Sequence, residues 1–348
     1  MADPLVTIVM PCLNEEAHIA RAVESLVDDY VLRHGEILIV DGGSTDRTRD
    51  IVTDLAGKYP VRLMDNPGRL QAHGLNLGIT EARGRIIARA DAHCVYPPEY
   101  IRRCVRMLER EEVFNAGGIW FPVGVTAKEK AIALAMRHPV GVGDAKCHLG
   151  HYTGYAEGAY VGTFKKEVFD AVGPYDPKAH PNEDSELNIR IVKSGRKIYL
   201  DGSMKVTYFP RSSFGRLFRQ FFKYGQGRCY TTLKHRRFTS PRQLAPTLLV
   251  LGLAGGAVLA VFAPVALAFP AAYLFAVLLV SLGSRFDEAP GLKVRLFVFR
   301  SFVTMHLAWG FGFLSRLLGF KPTRFHVTRK PGEIPPFNQR GNGGIAGS

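Results

Sequence analysis

Two short polar clusters in this sequence have the residue types and spacing for chemistry. Asp91 and His93 stand two positions apart in IIARADAH, residues 86–93, where an apolar run gives way to a polar turn. Ile86 and Ile87 suit a central strand of a parallel sheet, and such strands present ligands at their carboxyl ends. A carboxylate oxygen and an imidazole nitrogen placed there can share one divalent cation, a donor pair that Mn2+ accepts more readily than Mg2+. Asp91 could instead cap the helix expected after Pro97 and Pro98, leaving His93 an ordinary loop residue. Glu183 and Asp184 form the second pair, in Asn182-Glu183-Asp184-Ser185 before a helix with Leu187, Ile191 and Val192 at its apolar positions. One carboxylate there could take a proton from a hydroxyl as a general base. Helix capping and dipole pairing are the competing uses of such acids.

The elements that must position these groups follow a regular alternation. Val6 to Met10 is an apolar strand ending at Pro11, and Asn14 precedes a helix expected from Glu15 to Leu26. Glu36 to Val40 repeats the pattern, with Asp41-Gly42-Gly43-Ser44-Thr45-Asp46 leading into a helix over Arg47 to Ala56. Leu63 and Met64 close a third strand, Asn66-Pro67-Gly68-Arg69 is a turn, and Leu70 to Ala82 is a third helix before the strand that carries Asp91. Such alternation predicts an α/β fold, a Rossmann-like, mostly parallel sheet with helices on both faces. Ligands bind across the carboxyl ends of such strands, so Pro11 to Glu15, Asp41 to Asp46, Asn66 to Arg69 and Asp91 to His93 should line one crevice. In it Asp41 could accept the imide N–H of a uracil, and Arg69 could donate to a base carbonyl or a phosphate oxygen. Gly42 and Gly43 permit close backbone approach, although the turn is not the G-x-G-x-x-G of a dinucleotide fold.

At these residues the chain resembles the family 2 inverting glycosyltransferases of the GT-A fold. VTIVMPCLNEE, ILIVDGGSTDRT and the DAH triplet stand where that family has a P-x-x-N-E opening, a V-D-x-S-x-D nucleotide turn and a D-x-D metal motif. GAYVGTFKKEVFDAVGPYDPKAHPNEDSELNIRIVKSG resembles its acceptor-side segment, which ends in an E-D motif at Glu183 and Asp184. NPGRLQAHGLNLG and ADAH look most like the succinoglycan-type exopolysaccharide glucosyltransferases. The resemblance implies that Pro11, Asn14, Glu15, Asp41, Arg69 and Asp91 bind the nucleotide sugar, Asp41 at uracil, Glu15 at a ribose hydroxyl and Arg69 near the base. Asp91 and His93 would meet a Mn2+ or Mg2+ ion bridging the diphosphate, with His replacing the usual second Asp and removing one negative charge. Asp184 would be the catalytic base, with Glu183 orienting it. Gln220-Phe221-Phe222-Lys223-Tyr224 is similar to the family's Q-x-x-R-W, keeping a charge and a stacking face but losing the bidentate fork. Gln220, Lys223, Tyr224 and Arg228 are thus candidates for the acceptor or diphosphate. The same segment also reads as an amphipathic helix with Phe214, Leu217, Phe218, Phe221 and Phe222 dipping into lipid.

Composition separates this domain from the C-terminal third of the chain. The protein has 348 residues and a formal net charge of +14. Residues 244–283 carry no charge over about 40 positions, twice the length of one bilayer crossing, and predict a transmembrane helical hairpin turning near Pro264. Arg211, Arg216, Arg219, Lys223, Arg228, Lys234, His235, Arg236, Arg237 and Arg242 precede it, which reads as cytoplasmic retention and attraction to anionic lipid, and disfavours nucleic acid as the partner. No secretory leader is expected, since MADPLVTIVMP runs straight into a strand. The five cysteines, Cys12, Cys94, Cys104, Cys147 and Cys229, show no C-x-x-C spacing and read as buried or inert thiols. His148, His151 and His180 match no metal-ligand spacing, and Trp120 and Phe121 could form either a sugar platform or core.

These readings predict a cytoplasmic glycosyltransferase domain over 1–230, a basic membrane-interface segment over 211–243, the hairpin over 244–283, an interfacial or third membrane helix over 291–319 and a flexible tail over 330–348. The expected activity is inverting transfer of a hexose, most simply glucose from UDP-glucose, to a polyprenyl-linked or other lipid-linked glycan acceptor at a bacterial-type inner membrane, in exopolysaccharide or cell-envelope glycan synthesis. A processive polysaccharide synthase and a non-catalytic membrane scaffold with the same fold are the alternatives.

Overall fold

The computed structural model describes residues 5–148, 150–236, 241–287 and 289–322. Its first half is the expected alternation: β1 (Val6–Cys12), α1 (Ile19–Leu26), α2 (Asp29–His34), β2 (Gly35–Asp41), α3 (Thr48–Ala56), β3 (Val61–Asp65), α4 (Gln71–Glu81) and β4 (Ile86–Arg89). These strands pair in parallel in the order β3-β2-β1-β4. Alternate residues enter two separate cores, Ile8, Met10, Ile37 and Ile39 beneath α1, and Val9, Leu38 and Val40 against Leu75 and Ile79 of α4. Burial on both faces is why these strands read as continuous apolar runs rather than alternating ones. Register sets Cys12 beside Asp41 and Asp41 beside Asp65, so the loops after β1, β2 and β3 leave the sheet at one level.

One boundary differs from expectation for a local reason. The helix expected from Glu15 begins at Ile19, because the backbone N–H groups of Glu15 and Glu16 donate to Thr48 Oγ1 at 2.8 Å and Asp46 Oδ2 at 3.2 Å. The 15–18 segment is therefore a turn fastened to the neighbouring loop.

The second half contains β5 (Cys94–Val95), α5 (Tyr100–Leu108), β6 (Val113–Pro122), α6 (Ala127–Met136), α7 (Pro139–Val142), β7 (Gly154–Ala156), β8 (Tyr160–Lys165), α8 (Glu167–Val172), α9 (Glu183–Lys193) and β9 (Lys197–Tyr208). The sheet continues β4-β8-β6-β9-β5, with β7 on β9. Here only β6 and β9 pair in parallel, and the other pairs are antiparallel. The sheet is thus parallel in its first half and mixed in its second.

The C-terminal part is helical: α10 (Phe214–His235), α11 (Ala245–Leu259), α12 (Ala268–Gly283) and α13 (Leu292–Leu317). Among the described residues two stretches are long and apolar enough to cross a membrane, Pro264–Gly283 with mean hydropathy 2.4 and Leu292–Leu317 with mean hydropathy 1.3. The expected hairpin is present as α11 and α12, but α11 has 15 residues, short of the roughly 20 that a crossing needs. The segment expected as an interfacial or third membrane helix is the 26-residue α13. Apolar side chains between α11 and α12 are bare, Val261 at 79% and Phe262 at 83% exposure. α13 lies against α10 at van der Waals limit: a Cβ on Gly225 would stand 2.2 Å from the Trp309 carbonyl, and one on Gly312 would stand 2.0 Å from that of Phe222. This packing corrects the expectation that a phenylalanine row dips into lipid. Phe214, Leu217 and Phe221 are buried in the protein core and Phe222 is partly buried against it, leaving Phe218 as the outward ring at 36% exposure. The 330–348 tail lies outside the described residues.

Candidate active site

The first two loops form one preorganised surface. Asn14 takes a left-handed backbone, φ 54°, from which its N–H donates to Ser44 Oγ at 2.8 Å and its Oδ1 accepts from the Thr45 N–H at 2.8 Å. Pro11, inside β1, pairs with Val40 and fixes the strand end from which this loop departs. Asp41 ends β2 as expected, yet its side chain is wholly covered: the Gly43 N–H at 3.2 Å, the Ser44 N–H at 3.0 Å and Arg49 Nη1 at 2.9 Å donate to it. Burial would raise its pKa, but Ser44 and Arg49 hold it below the ordinary carboxylate range. In this form Asp41 organises the turn from within. Arg69 has left-handed φ 56° and is exposed, with its guanidinium about van der Waals distance, 3.8 Å, from where a Gly43 Cβ would be. A bare Gly43 thus leaves room for a cationic fork above the turn, suited to a phosphate or base carbonyl.

Past β4 the D-x-H turn meets residues from four other elements. Asp91 is buried, and its Oδ1 accepts from Gln71 Nε2 at 3.2 Å and from Arg89 Nε and Nη2 at 3.1 and 3.0 Å. Its Oδ2 accepts from the Tyr160 hydroxyl at 3.1 Å. Burial alone would raise the Asp91 pKa, and Arg89 and His93 outweigh it, so the group is ionised. His93 Nδ1 lies 3.3 Å from Glu15 Oε1, which brings the first and last loops of the crevice together. Ligand atoms of Asp91, His93 and Cys94 lie within 4.8 Å of one another. A carboxylate and an imidazole in that space fit a Mn2+-type divalent cation. Cys94, expected to be inert, is buried with its Sγ 3.2 Å from the Tyr160 hydroxyl, and burial pushes its thiol pKa well up.

The acid pair begins α9, but neither acid caps it. Asn182 holds the N-cap position without a side-chain cap bond, its Nδ2 donating instead to Thr231 Oγ1 at 3.3 Å on α10. Glu183 is buried with His180 Nδ1 at 3.7 Å, and burial, which would raise its pKa, is outweighed by His180 and Arg89. Asp184 is about a third exposed, at 34% of its side chain, and bonds Arg89 Nη1 through Oδ1. Of the two, only Asp184 offers an oxygen to a bound molecule. Arg89 is not among the residues singled out by sequence reasoning, although a charged residue in the apolar run IIARADAH was the available signal.

α10 closes the crevice beyond α9. Gln220 is buried, its Nε2 donating to the Tyr224 hydroxyl at 2.8 Å and to the Tyr208 hydroxyl at 3.3 Å, and Tyr208 in turn lies edge-on to His93 at 5.8 Å. Burial pushes the Tyr224 pKa up to about 12 and that of Arg228 down to about 10. Arg228 Nη2 donates to Ser185 Oγ at 3.0 Å, one residue beyond Asp184. Lys223 has its pKa lowered by burial and by Arg211. Trp120 packs on Tyr208 and His148, both at 4.7 Å, and forms an aromatic wall behind the D-x-H turn, whereas Phe121 lies under Arg137 and Lys205. His148 and His180 serve separate neighbours, Trp120 and Glu183, rather than one metal site.

The D-x-H turn, an exposed cation over a Gly-Gly turn and a partly open carboxylate thus face one crevice of a mixed sheet. The chain belongs to glycosyl transferase family 2. Residues 7–156 match that family's model, and the succinoglycan biosynthesis protein ExoA of Rhizobium meliloti (strain 1021) is 36% identical over 325 residues, 90% of this chain and 95% of the relative. A second relative is the dolichyl N-acetyl-alpha-D-glucosaminyl phosphate 3-beta-D-2,3-diacetamido-2,3-dideoxy-beta-D-glucuronosyltransferase of Methanococcus voltae, 24% identical over 63% of this chain and 71% of that one. The mannosyltransferase of Pyrobaculum calidifontis, in complex with GDP-Man and Mn2+, matches with TM-score 0.58 and 20% identity over 91% of this chain and 88% of that chain. That likeness establishes the GT-A fold.

Proposed function

We propose that this glycosyltransferase moves glucose from UDP-glucose, with inversion, to a lipid-linked acceptor during exopolysaccharide synthesis, working from the cytoplasmic face of a bacterial-type inner membrane. The observation that carries the reading is the division of labour around Arg89: Asp91 and His93 lie on one side, and Asp184 alone presents a partly open carboxylate on the other. Bound at Asp91 and His93, a divalent cation would neutralise the donor diphosphate. The 41–46 turn, shaped by Asp41, receives the uracil, Arg69 reaches the base or a phosphate oxygen, and Glu15 meets the ribose. Asp184 accepts the proton of the acceptor hydroxyl as that oxygen bonds to the anomeric carbon and the bond from that carbon to the diphosphate breaks, releasing UDP. Gln220, Lys223, Tyr224 and Arg228 line the acceptor and diphosphate side. Likeness to a succinoglycan biosynthesis protein supports the exopolysaccharide setting, and the apolar helices beside α10 support an acceptor that is itself in the membrane.

The test is to incubate membranes containing the protein with a panel of radiolabelled nucleotide sugars and Mn2+. Label from UDP-glucose is expected in the lipid extract. Label from a different donor would overturn the assignment of glucose, and no lipid label from any donor would overturn the lipid-linked acceptor.

A further inference from the structure

Arg89 is a cation held inside the protein between two carboxylates that the proposed reaction uses for different purposes. It ends β4, is 5% exposed, and gives Nε and Nη2 to Asp91 Oδ1 at 3.1 and 3.0 Å while Nη1 bonds Asp184 Oδ1. A guanidinium has a planar fork that can serve two carboxylates at fixed angles, which a lysine cannot reproduce. Asp91 Oδ1 also accepts from Gln71, and Oδ2 from Tyr160, so both oxygens of the Asp91 carboxylate already have a donor. A divalent cation arriving there competes with Arg89 for the same negative charge and is repelled by it at short range. On the other side, Arg89 engages Asp184 through Oδ1, and Oδ2 has no protein partner among the described residues. One oxygen is pinned and the other is left to take a proton.

We propose that Arg89 is a positioning residue that couples metal binding at Asp91 to the placement of Asp184, by competing with the divalent cation for one carboxylate and orienting the other. This rests on the reading of Asp91 as a metal ligand and Asp184 as the base. It assigns Arg89 no contact with substrate: its effect runs through its two partners, the way an orienting group acts on a catalytic base.

The experiment measures Mn2+ binding without nucleotide, by electron paramagnetic resonance of the free ion, together with single-turnover transfer at saturating donor, for Arg89→Gln and Arg89→Lys of the full chain. Arg89→Gln removes the competing charge, so it should bind Mn2+ at least about threefold more tightly, yet transfer at least about tenfold more slowly because Asp184 is no longer held. Arg89→Lys should restore wild-type Mn2+ affinity and still transfer slowly, since charge returns without the fork. A merely structural role predicts weaker Mn2+ binding in Arg89→Gln. That outcome overturns the proposal, as does unchanged affinity or a wild-type transfer rate. Should Arg89→Gln fail to fold, Arg89→Lys bears the test through its rate, where wild-type transfer is the contrary result. Asp184→Asn, measured alongside, separates the two levels: if it is inactive while the Arg89 variants behave as wild type, only the coupling fails, and if it is active, the assignment of the base fails.

Discussion

The proposed donor and acceptor sides of the crevice are held together by different chemistry. On the donor side, residues 11–16 and 41–48 are stitched by hydrogen bonds from the backbone N–H groups of Asn14, Glu15 and Glu16 to Ser44, Thr48 and Asp46. On the acceptor side, α9 and α10 are joined by buried charge. Glu186, with no exposed surface, meets Arg190 at 2.8 Å, Lys234 at 2.8 Å and His235 at 3.0 Å, and Asp176 bonds Lys234 at 2.6 Å and Tyr230 at 2.9 Å. Burial would raise the Glu186 pKa, and Arg190 and Lys234 outweigh it. Donor turns of this kind are preformed by their own residues, whereas the helix that carries Asp184 keeps its place through ions brought from another part of the chain.

The largest expected effect is on the donor side. Asp91→Ala removes the carboxylate shared by Arg89, Tyr160 and the proposed metal, so the purified, folded variant should show no transfer above background; retained turnover would exclude the site. Next comes the acceptor-side cluster. Glu186→Gln removes the buried carboxylate shared by Arg190, Lys234 and His235, of which Lys234 keeps Asp176, and should cost about 3–5 kcal/mol of stability. Asp46→Ala, which removes the part-buried turn hydrogen bonds from Glu16 and Thr48, should cost about 1–2 kcal/mol. Denaturation of both variants in detergent checks the contrast, and equal losses would erase the distinction drawn between the two sides.

Acid exposes a third difference. His148, packed on Trp120, has its pKa lowered from 6.5 to about 4 by burial. Its folded form favours the neutral ring, so its contribution to stability is complete above 6.5 and is lost as pH falls toward 4. Glu186, Asp176 and Asp41 have folded values below the ordinary carboxylate range, so their contributions are complete above about pH 4 and are lost only below it. Moving from pH 7 to pH 5 should therefore lower the melting temperature by about 2–4 °C, with His148 the largest contributor beside His138 and His235, and His148→Phe should reduce the slope of that limb. An unchanged slope in the variant would show that another group titrates there. The smallest effect is a preference: His93→Asp restores a carboxylate pair and should raise activity with Mg2+ relative to Mn2+, and an identical metal profile would remove His93 from the ligand set.

Legibility in the sequence divides along the same line. Asp41, Asn14, Asp91 and His93 lie at strand ends or in turns whose position is fixed by the αβ alternation, so motif and topology together bring them to one crevice. Arg89 escaped because nothing near it in sequence shows that its partner Asp184 lies across the crevice. The Glu186 cluster escaped for the same reason, its cations Lys234 and His235 being on α10. The antiparallel pairing of β8 with β4 and β6 is not visible in the sequence, because a strand's own residues do not state which strand it will lie against or in which direction. Phe214, Leu217 and Phe221 do form an apolar face. Lipid and α13 are equally good solvents for such a face, so the pattern could not say which covers it.

That donor binding and base catalysis reside in different carboxylates is tested most directly by Asp184→Asn. Calorimetric titration of UDP with Mn2+, run beside single-turnover transfer, reads both functions in one protein. Transfer should be slower by at least about a hundredfold with UDP affinity nearly unchanged, because the amide keeps shape and most hydrogen bonds but not basicity. A loss of UDP binding as severe as the loss of transfer would contradict this division and place Asp184 on the nucleotide side.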